Sequence, residues 1–309
     1  MKYALSTNWC NRRLETGEAI ADLALELGFD ELELGFHTSQ AEVAGYRRRL
    51  DQIRIGSVHA FAPVPISAPC GYPELYLLAS EDEEARKMAL FQVKRNVAFA
   101  SDIGAETVVL HAGRVALDNW WCDLGTLRLN DVLRAAKNDI AAPSYRKLLD
   151  KARTRRAKRG AKRLESFKRT LDELMPTLSE KGVTLALENL PYLEGFPNAE
   201  ELAILLDELK DAPVKGWFDT GHDRVQRCHG WCADTPYAAL EASRYRGMHL
   251  NDVVNFNDDH LPPGEGQVDF AALAPFARQM HHLVFEPNSA VSAEALRKGL
   301  KHIRSLWDA

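Results

Sequence analysis

A long apolar run is missing from the 309-residue chain, so no membrane-spanning helix is expected. Cysteine is sparse. Cys10, Cys70, Cys122, Cys228 and Cys232 form an odd, scattered set, which argues against a disulfide framework and fits a reducing, cytoplasmic setting. Cys228-His229-x-x-Cys232 has no second ligand pair close by, so a structural zinc is not expected there. No basic segment leads into an apolar core in the opening MKYALSTNWC, so no secretory leader is expected. Positive charge is not in excess either. The formal net charge of −5 gives no advantage on nucleic acid or an anionic membrane, and neither is expected as a partner. A glycine-rich phosphate loop is absent from Asn8–Leu14, after the first apolar segment. That speaks against a doubly wound open sheet, the alternative fold for this sequence.

What is present is a repeat of short strand and amphipathic helix. Tyr3–Asn8 reads as the first strand. Thr16 is placed to cap a helix whose Ala19, Ile20, Leu23, Ala24 and Leu27 recur at helical spacing, with Gly28 ending it. Asp30–Gly35 and Ile53–Ala60 read as the second and third strands, around a helix through Ala41–Leu50. Beyond the proline-rich loop Pro63–Tyr76, Ser80-x-x-Glu83 forms a capping box for a long helix to Ile103. Glu106–Ala112 is the fourth strand. A helix through Glu165–Lys181 leads to the fifth, Val183–Asn189. Asn198 and Glu201 cap a helix over Ala199–Leu209. Val214–Phe218 runs into Asp219 as the sixth strand, and Thr235-Pro236 opens a helix after it. Tyr245–Asp252 is the seventh strand, Val268–Gln279 its helix, and His281–Pro287 the eighth. Ser292 caps the last helix.

About eight such units, in a chain of this length and without a visible domain boundary, imply one closed (β/α)8 TIM barrel over residues 1–309. The rhythm breaks over Gly113–Leu164, read as a basic helical insertion of about residues 114–164 after the fourth strand. Its stretch Tyr145–Arg169 is read as a solvated charged face, placed on the active-site side where it could serve as a lid. Trp120-Trp121 begin it and are read as pinning it to the barrel, with stacking on a sugar ring as the alternative.

In such barrels the active site lies at the C-terminal ends of the strands. Those ends carry His59, His111, Glu188, Asp219 with His222 beyond, His249 with Asp252 beyond, and Glu286. Six consecutive, otherwise apolar strands thus deliver metal-ligand side chains to one place, which argues against a purely structural reading. His37, His281, His282 and His302 read as structural or surface residues. Gly264-Glu265-Gly266 reads as a flexible turn beside the pocket.

The series SVHA, VVLHAG, LALEN, FDTGH, MHLND, HLPPGEG and VFEP resembles the xylose-isomerase-like barrel superfamily over nearly the whole chain. That superfamily holds sugar isomerases and epimerases and also metal-dependent apurinic endonucleases. In the isomerase branch the resemblance implies Glu188, Asp219, His249 and Glu286 as ligands of Mn, Co, Mg or Zn. His222, His59 and His111 would then bind substrate. The implied reaction is isomerisation or epimerisation of a small sugar, sugar phosphate or polyol derivative. Glu188 and Glu286 would exchange a proton through a metal-bound enediolate. In the endonuclease branch the implied ligand set extends to His59, His111, His222, Asp258 and His260. The long AFAPVPISAPCGYPELYLLAS loop, where that branch carries a polar DNA-entering loop, favours the sugar enzymes. A dehydratase or lyase on the same scaffold, and a non-catalytic ligand-binding barrel, remain as alternatives. A small carbohydrate is the expected partner, and homo-oligomerisation is left open.

Overall fold

The structure, a computed structural model, describes residues 1–10, 13–117, 125–233, 239–256 and 260–308. Its main sheet consists of β1 (Ala4–Ser6), β2 (Glu31–Leu34), β3 (Arg54–His59), β4 (Thr107–Leu110), β5 (Thr184–Glu188), β6 (Val214–Asp219), β7 (Tyr245–Leu250) and β8 (His282–Phe285). Each strand pairs in parallel with its sequence neighbours, and β1 also pairs with β8, so the sheet closes into a barrel. The helices are α1 (Gly17–Leu27), α2 (Gln40–Arg47), α3 (Glu83–Ile103), α4 (Thr126–Ala135), α5 (Pro143–Lys181), α6 (Ala199–Glu208), α7 (Thr220–Cys228), α8 (Phe270–Ala277) and α9 (Ala293–Trp307). This is the expected (β/α)8 architecture.

Strand side chains alternate between a face turned to the helices and a face turned to the barrel interior. Ala4, Val109, Ala186, Trp217 and Val284 form a separate buried cluster on the inner face. Leu32 and Leu34 of β2 face the helices, which leaves Glu31 and Glu33 pointing inward, both buried. Register then aligns the strand ends, since Asp219 lies opposite His249 and Glu188 opposite Trp217.

Helix termini follow local chemistry. Thr16 caps α1 by accepting from the Ala19 amide, and Gly28 ends it at φ 94°, a left-handed conformation that glycine adopts without strain. Asn198 with Glu201 forms the expected capping box on α6, and Ser292 caps α9. The box at Ser80 does not form. Asp82 is the cap of α3, accepting from the Ala85 amide at 2.7 Å, while Ser80 Oγ accepts from the Asp82 amide. A carboxylate near the positive helix end outcompetes a hydroxyl two residues upstream.

The expected insertion also takes another form. Residues 143–181 are one helix of 39 residues, so the basic stretch extends the helix that leads into β5 instead of forming a separate piece. Nor is that stretch merely solvated. Arg153, Arg155, Arg156, Arg159 and Arg163 each donate to a backbone carbonyl, those of Gly230, Leu117, Leu193 and Gly195, Ala116, and Ala79 respectively. Arg156 is buried and pairs with both oxygens of Glu201, at 2.6 and 2.7 Å. Gly160 leaves room for that pair, because a Cβ there would lie 2.1 Å from Glu201 Oε1. Loop carbonyls are thus met by arginines of α5, and the loops are tied down. Trp120-Trp121 and Thr235-Pro236 lie outside the described residues.

Candidate metal centre and active site

Asp219 ends β6 and at once caps α7, its Oδ1 accepting from the His222 amide at 2.7 Å. That double duty turns the chain sharply and brings His222 back over the strand end. Asn251 Nδ2 donates to Asp219 Oδ2 at 2.7 Å, and Asn189 Oδ1 accepts from the Asp219 amide at 2.7 Å. Gly221 is needed beside them, since a Cβ there would meet Asn251 Oδ1 at 1.8 Å.

His249 is the hub. Its Nδ1 lies 3.0 Å from Glu188 Oε1, 3.2 Å from Glu286 Oε2 and 3.7 Å from Asp219 Oδ2. Its Nε2 faces Glu33 Oε1 at 3.0 Å. Glu188 Oε2 lies 3.2 Å from both His59 Nε2 and His111 Nε2. All these side chains are buried. One donor atom from each of Glu188, Asp219, His249 and Glu286 lies within 4.8 Å of the other three. His59, His111 and Glu188 form a second such group, and His59, His249 and Glu286 a third.

Three histidines are oriented by the backbone. His59 Nδ1 faces the Ala60 carbonyl at 3.0 Å, His222 Nδ1 that of Asn189 at 2.8 Å, and His260 Nδ1 that of Glu286 at 2.8 Å. A carbonyl only accepts, so each Nδ1 carries a proton toward it, which fixes the ring with Nε2 on its other side. Orientation of this kind is what ligating or substrate-binding imidazoles require.

The electrostatics are those of a site crowded with carboxylates. Burial raises the Asp219 carboxyl, and the neighbouring Glu188 charge adds to this. Burial opposes ionisation of Glu188 too, but His249 and His111 hold it well below the usual carboxylate range. Glu286 is likewise lowered, by His249 and His59 against burial. For His249, burial disfavours the charge, yet Glu286, Glu33 and Glu188 raise it well above the ordinary histidine value. His111 is raised to about 9 by Glu188 and Glu74 despite burial. So many buried acids need a counter-cation. Three carboxylates and an imidazole suit a divalent metal, and among the described residues the buried Glu188 Oε2 meets only the imidazole nitrogens of His59 and His111. The residues therefore fit a metal centre.

A cavity of about 360 Å³ opens above this cluster, lined by His59, His111, His222, His260 and Glu286 and walled by Asn8, Glu74, Arg114 and Tyr192. A family model described as a xylose isomerase-like TIM barrel matches residues 21–306. The chain belongs to this family. Among solved structures, 3-keto-D-glucoside 4-epimerase YcjR from E. coli is similar over 99% of both chains, at 16% identity and a TM-score of 0.66. D-Psicose 3-epimerase from Clostridium cellulolyticum H10, solved with D-tagatose, is similar over 99% of both chains, at 14% identity and a TM-score of 0.64. The IOLI protein with a bound zinc atom is similar over 100% of both, at 13% identity and a TM-score of 0.65. At such identities these likenesses show the fold. No curated protein sequence matches the chain.

This xylose isomerase-like barrel brings His59, His111, Glu188, Asp219, His222, His249 and Glu286 together as the strand-end reading expects, with His260 beside them. Asp258 lies outside the described residues. Asp252 has a different duty. Its carboxylate accepts from the amides of Val253, Gly264, Gly266 and Val268, so it folds the HLPPGEG turn, which is bonded rather than flexible.

Several site residues escape the strand-end reading. Glu33 reaches His249 from the middle of the barrel and also accepts from Ser57 Oγ at 2.8 Å. Asn8 donates to Glu286 Oε1 at 2.9 Å, and Glu74 faces His111 Nδ1 at 3.6 Å. The ELEL alternation of β2 is the one signal that could have found Glu33, because the leucines must face the helices.

Proposed function

We propose that this barrel is a divalent-metal-dependent isomerase or epimerase of a small carbohydrate. One observation carries the reading: Glu188 and Glu286 approach the same His249 nitrogen, at 3.0 and 3.2 Å, beneath a cavity wide enough for a sugar. Glu188, Asp219, His249 and Glu286 would hold the metal. When bound, a divalent cation supplies Lewis acidity, which acidifies the C–H beside a carbonyl.

The chain's own groups do the rest. In this reading Glu188 takes the proton from carbon and Glu286 returns one. Return to the neighbouring carbon is isomerisation; return to the opposite face of the same carbon is epimerisation. Asn8 holds Glu286 through Oε1, which leaves Oε2 facing the cluster. His222, with its proton fixed on Nδ1, offers Nε2 to a substrate hydroxyl. The test is exchange of substrate C–H with deuterated water, run across small ketoses with the metal-loaded protein. Exchange on at least one ketose is expected, and its absence on all of them sinks the reading.

A second reading rests on the separate His59, His111 and Glu188 group. Two or three metals could then activate water for phosphodiester hydrolysis. Metal content decides between them: one ion per chain supports the isomerase, two or three zincs the hydrolase.

A further inference from the structure

Arg114 has no part in the chemistry above, yet it lines the cavity. Its Nε donates to Glu74 Oε2 at 2.5 Å, and its guanidinium carbon lies 3.9 Å from the centroid of the Tyr192 ring. Neither contact uses the terminal nitrogens, which meet no hydrogen-bond acceptor among the described residues. The side chain is 41% exposed.

Arg114 is also held on a rigid shelf. Gly113–Arg114 pairs antiparallel with Gly195–Phe196, and the Val115 amide donates to the Glu194 carbonyl at 2.7 Å. Below this ribbon, Arg155 and Arg159 hold the carbonyls of Leu117 and Ala116 on one strand, and Arg156 those of Leu193 and Gly195 on the other. Stacking on Tyr192 and the bond to Glu74 fix the guanidinium plane. The entropy cost of ordering an arginine on binding is therefore largely met in the free protein.

We propose that Arg114 receives a substrate carboxylate on its two terminal nitrogens. The substrate is then an acidic sugar, with its reacting carbons at Glu188 and Glu286 and its carboxylate at Arg114. The identity of the reacting end rests on the isomerase reading; the carboxylate site does not. A planar carboxylate matches the two parallel N–H groups of a guanidinium edge. A phosphate is the poorer fit on charge. Arg114 is the one lysine or arginine among the described residues lining the cavity, and Glu74 stands against its other edge. A dianion would face that carboxylate with a single cation to bind it.

The test uses the full-length, manganese-loaded protein and three matched probes: D-fructose, D-fructuronate and D-fructose 6-phosphate. Binding is measured by calorimetry and C–H exchange by NMR in deuterated water. Fructuronate is expected to bind at least tenfold tighter than fructose. In Arg114→Gln the ratio should fall below threefold, and in Arg114→Lys, which keeps the charge but not the fork, it should be intermediate. An unchanged ratio in Arg114→Gln overturns the proposal, as does tighter binding of the phosphate than of the uronate. Fructuronate bound without exchange upholds the carboxylate site and sinks the isomerase reading. Exchange on fructose with no uronate preference does the reverse. No binding of any probe overturns both.

Discussion

His249 and His282 stand on adjacent strands inside the same barrel, on either side of one indole. The Trp217 ring lies 5.0 Å from His249 and 6.0 Å from His282. Both are buried. Their states are opposite. Carboxylates surround His249 toward the C-terminal end and raise it against burial. Burial lowers His282 to about 3, and Arg246, His281 and Arg54 at the N-terminal end add to this. His282 is a neutral packing group bonded to Thr107 Oγ1 at 3.0 Å. Burial alone therefore does not decide the charge of a barrel histidine. The charges the strand ends gather around it set its state.

The comparison can be broken most directly at Glu188. Glu188→Gln should keep the fold, as judged by thermal unfolding, and lose about a thousandfold or more in C–H exchange. Full exchange in that variant would remove the proposed mechanism. Glu33 offers the next largest effect. By accepting from Nε2 it holds the ring with Nδ1 turned toward Glu188, Asp219 and Glu286, the orientation that metal ligation by Nδ1 would require. Glu33→Leu should weaken metal binding about 10- to 100-fold in a chelator competition, with Glu33→Gln closer to wild type. Equal affinity in all three proteins would show that Glu33 does not orient the hub.

The N-terminal end is probed by acid. The unfolded chain protonates its histidine near 6.5, whereas folded His282 resists until about 3. Its contribution to stability is thus whole above pH 6.5 and is lost as pH falls toward 3. By pH 5 the loss amounts to about 2 kcal/mol in denaturant unfolding, and His282→Gln should flatten that part of the profile. His249 in the metal-free protein carries the opposite sign. With its value raised, its contribution is whole below pH 6.5 and is lost as pH rises through the folded value. The smallest effect is expected from Thr107→Val, which removes the partner of His282 and should cost about 1 kcal/mol. A cost several times larger would mean that the N-terminal end is more than packing.

Much of this was legible in the chain. Thr16, Gly28, Asn198 with Glu201, and Ser292 act within three or four residues, and local hydrogen bonds need no tertiary context. Strand ends were readable because parallel strands are apolar, so a histidine or acid closing one stands out. Asp82 in place of Ser80 was a choice between two plausible caps that only the backbone path makes. Asp252 looked like Asp219, a carboxylate at a strand end, but the following loop folds back onto it and uses its oxygens.

Sequence by itself determined the eight-unit repeat and the set of acids and histidines at one barrel end, because side-chain period and strand termini are local properties. Tertiary structure alone decided which groups meet. Closing the barrel carried Glu33 from the middle of β2 to His249, 216 residues away. The arginines of α5 likewise became clasps on loop carbonyls, since only packing brings those carbonyls within reach. Charge balance among buried groups depends on distances across the barrel, and those distances do not exist until it closes.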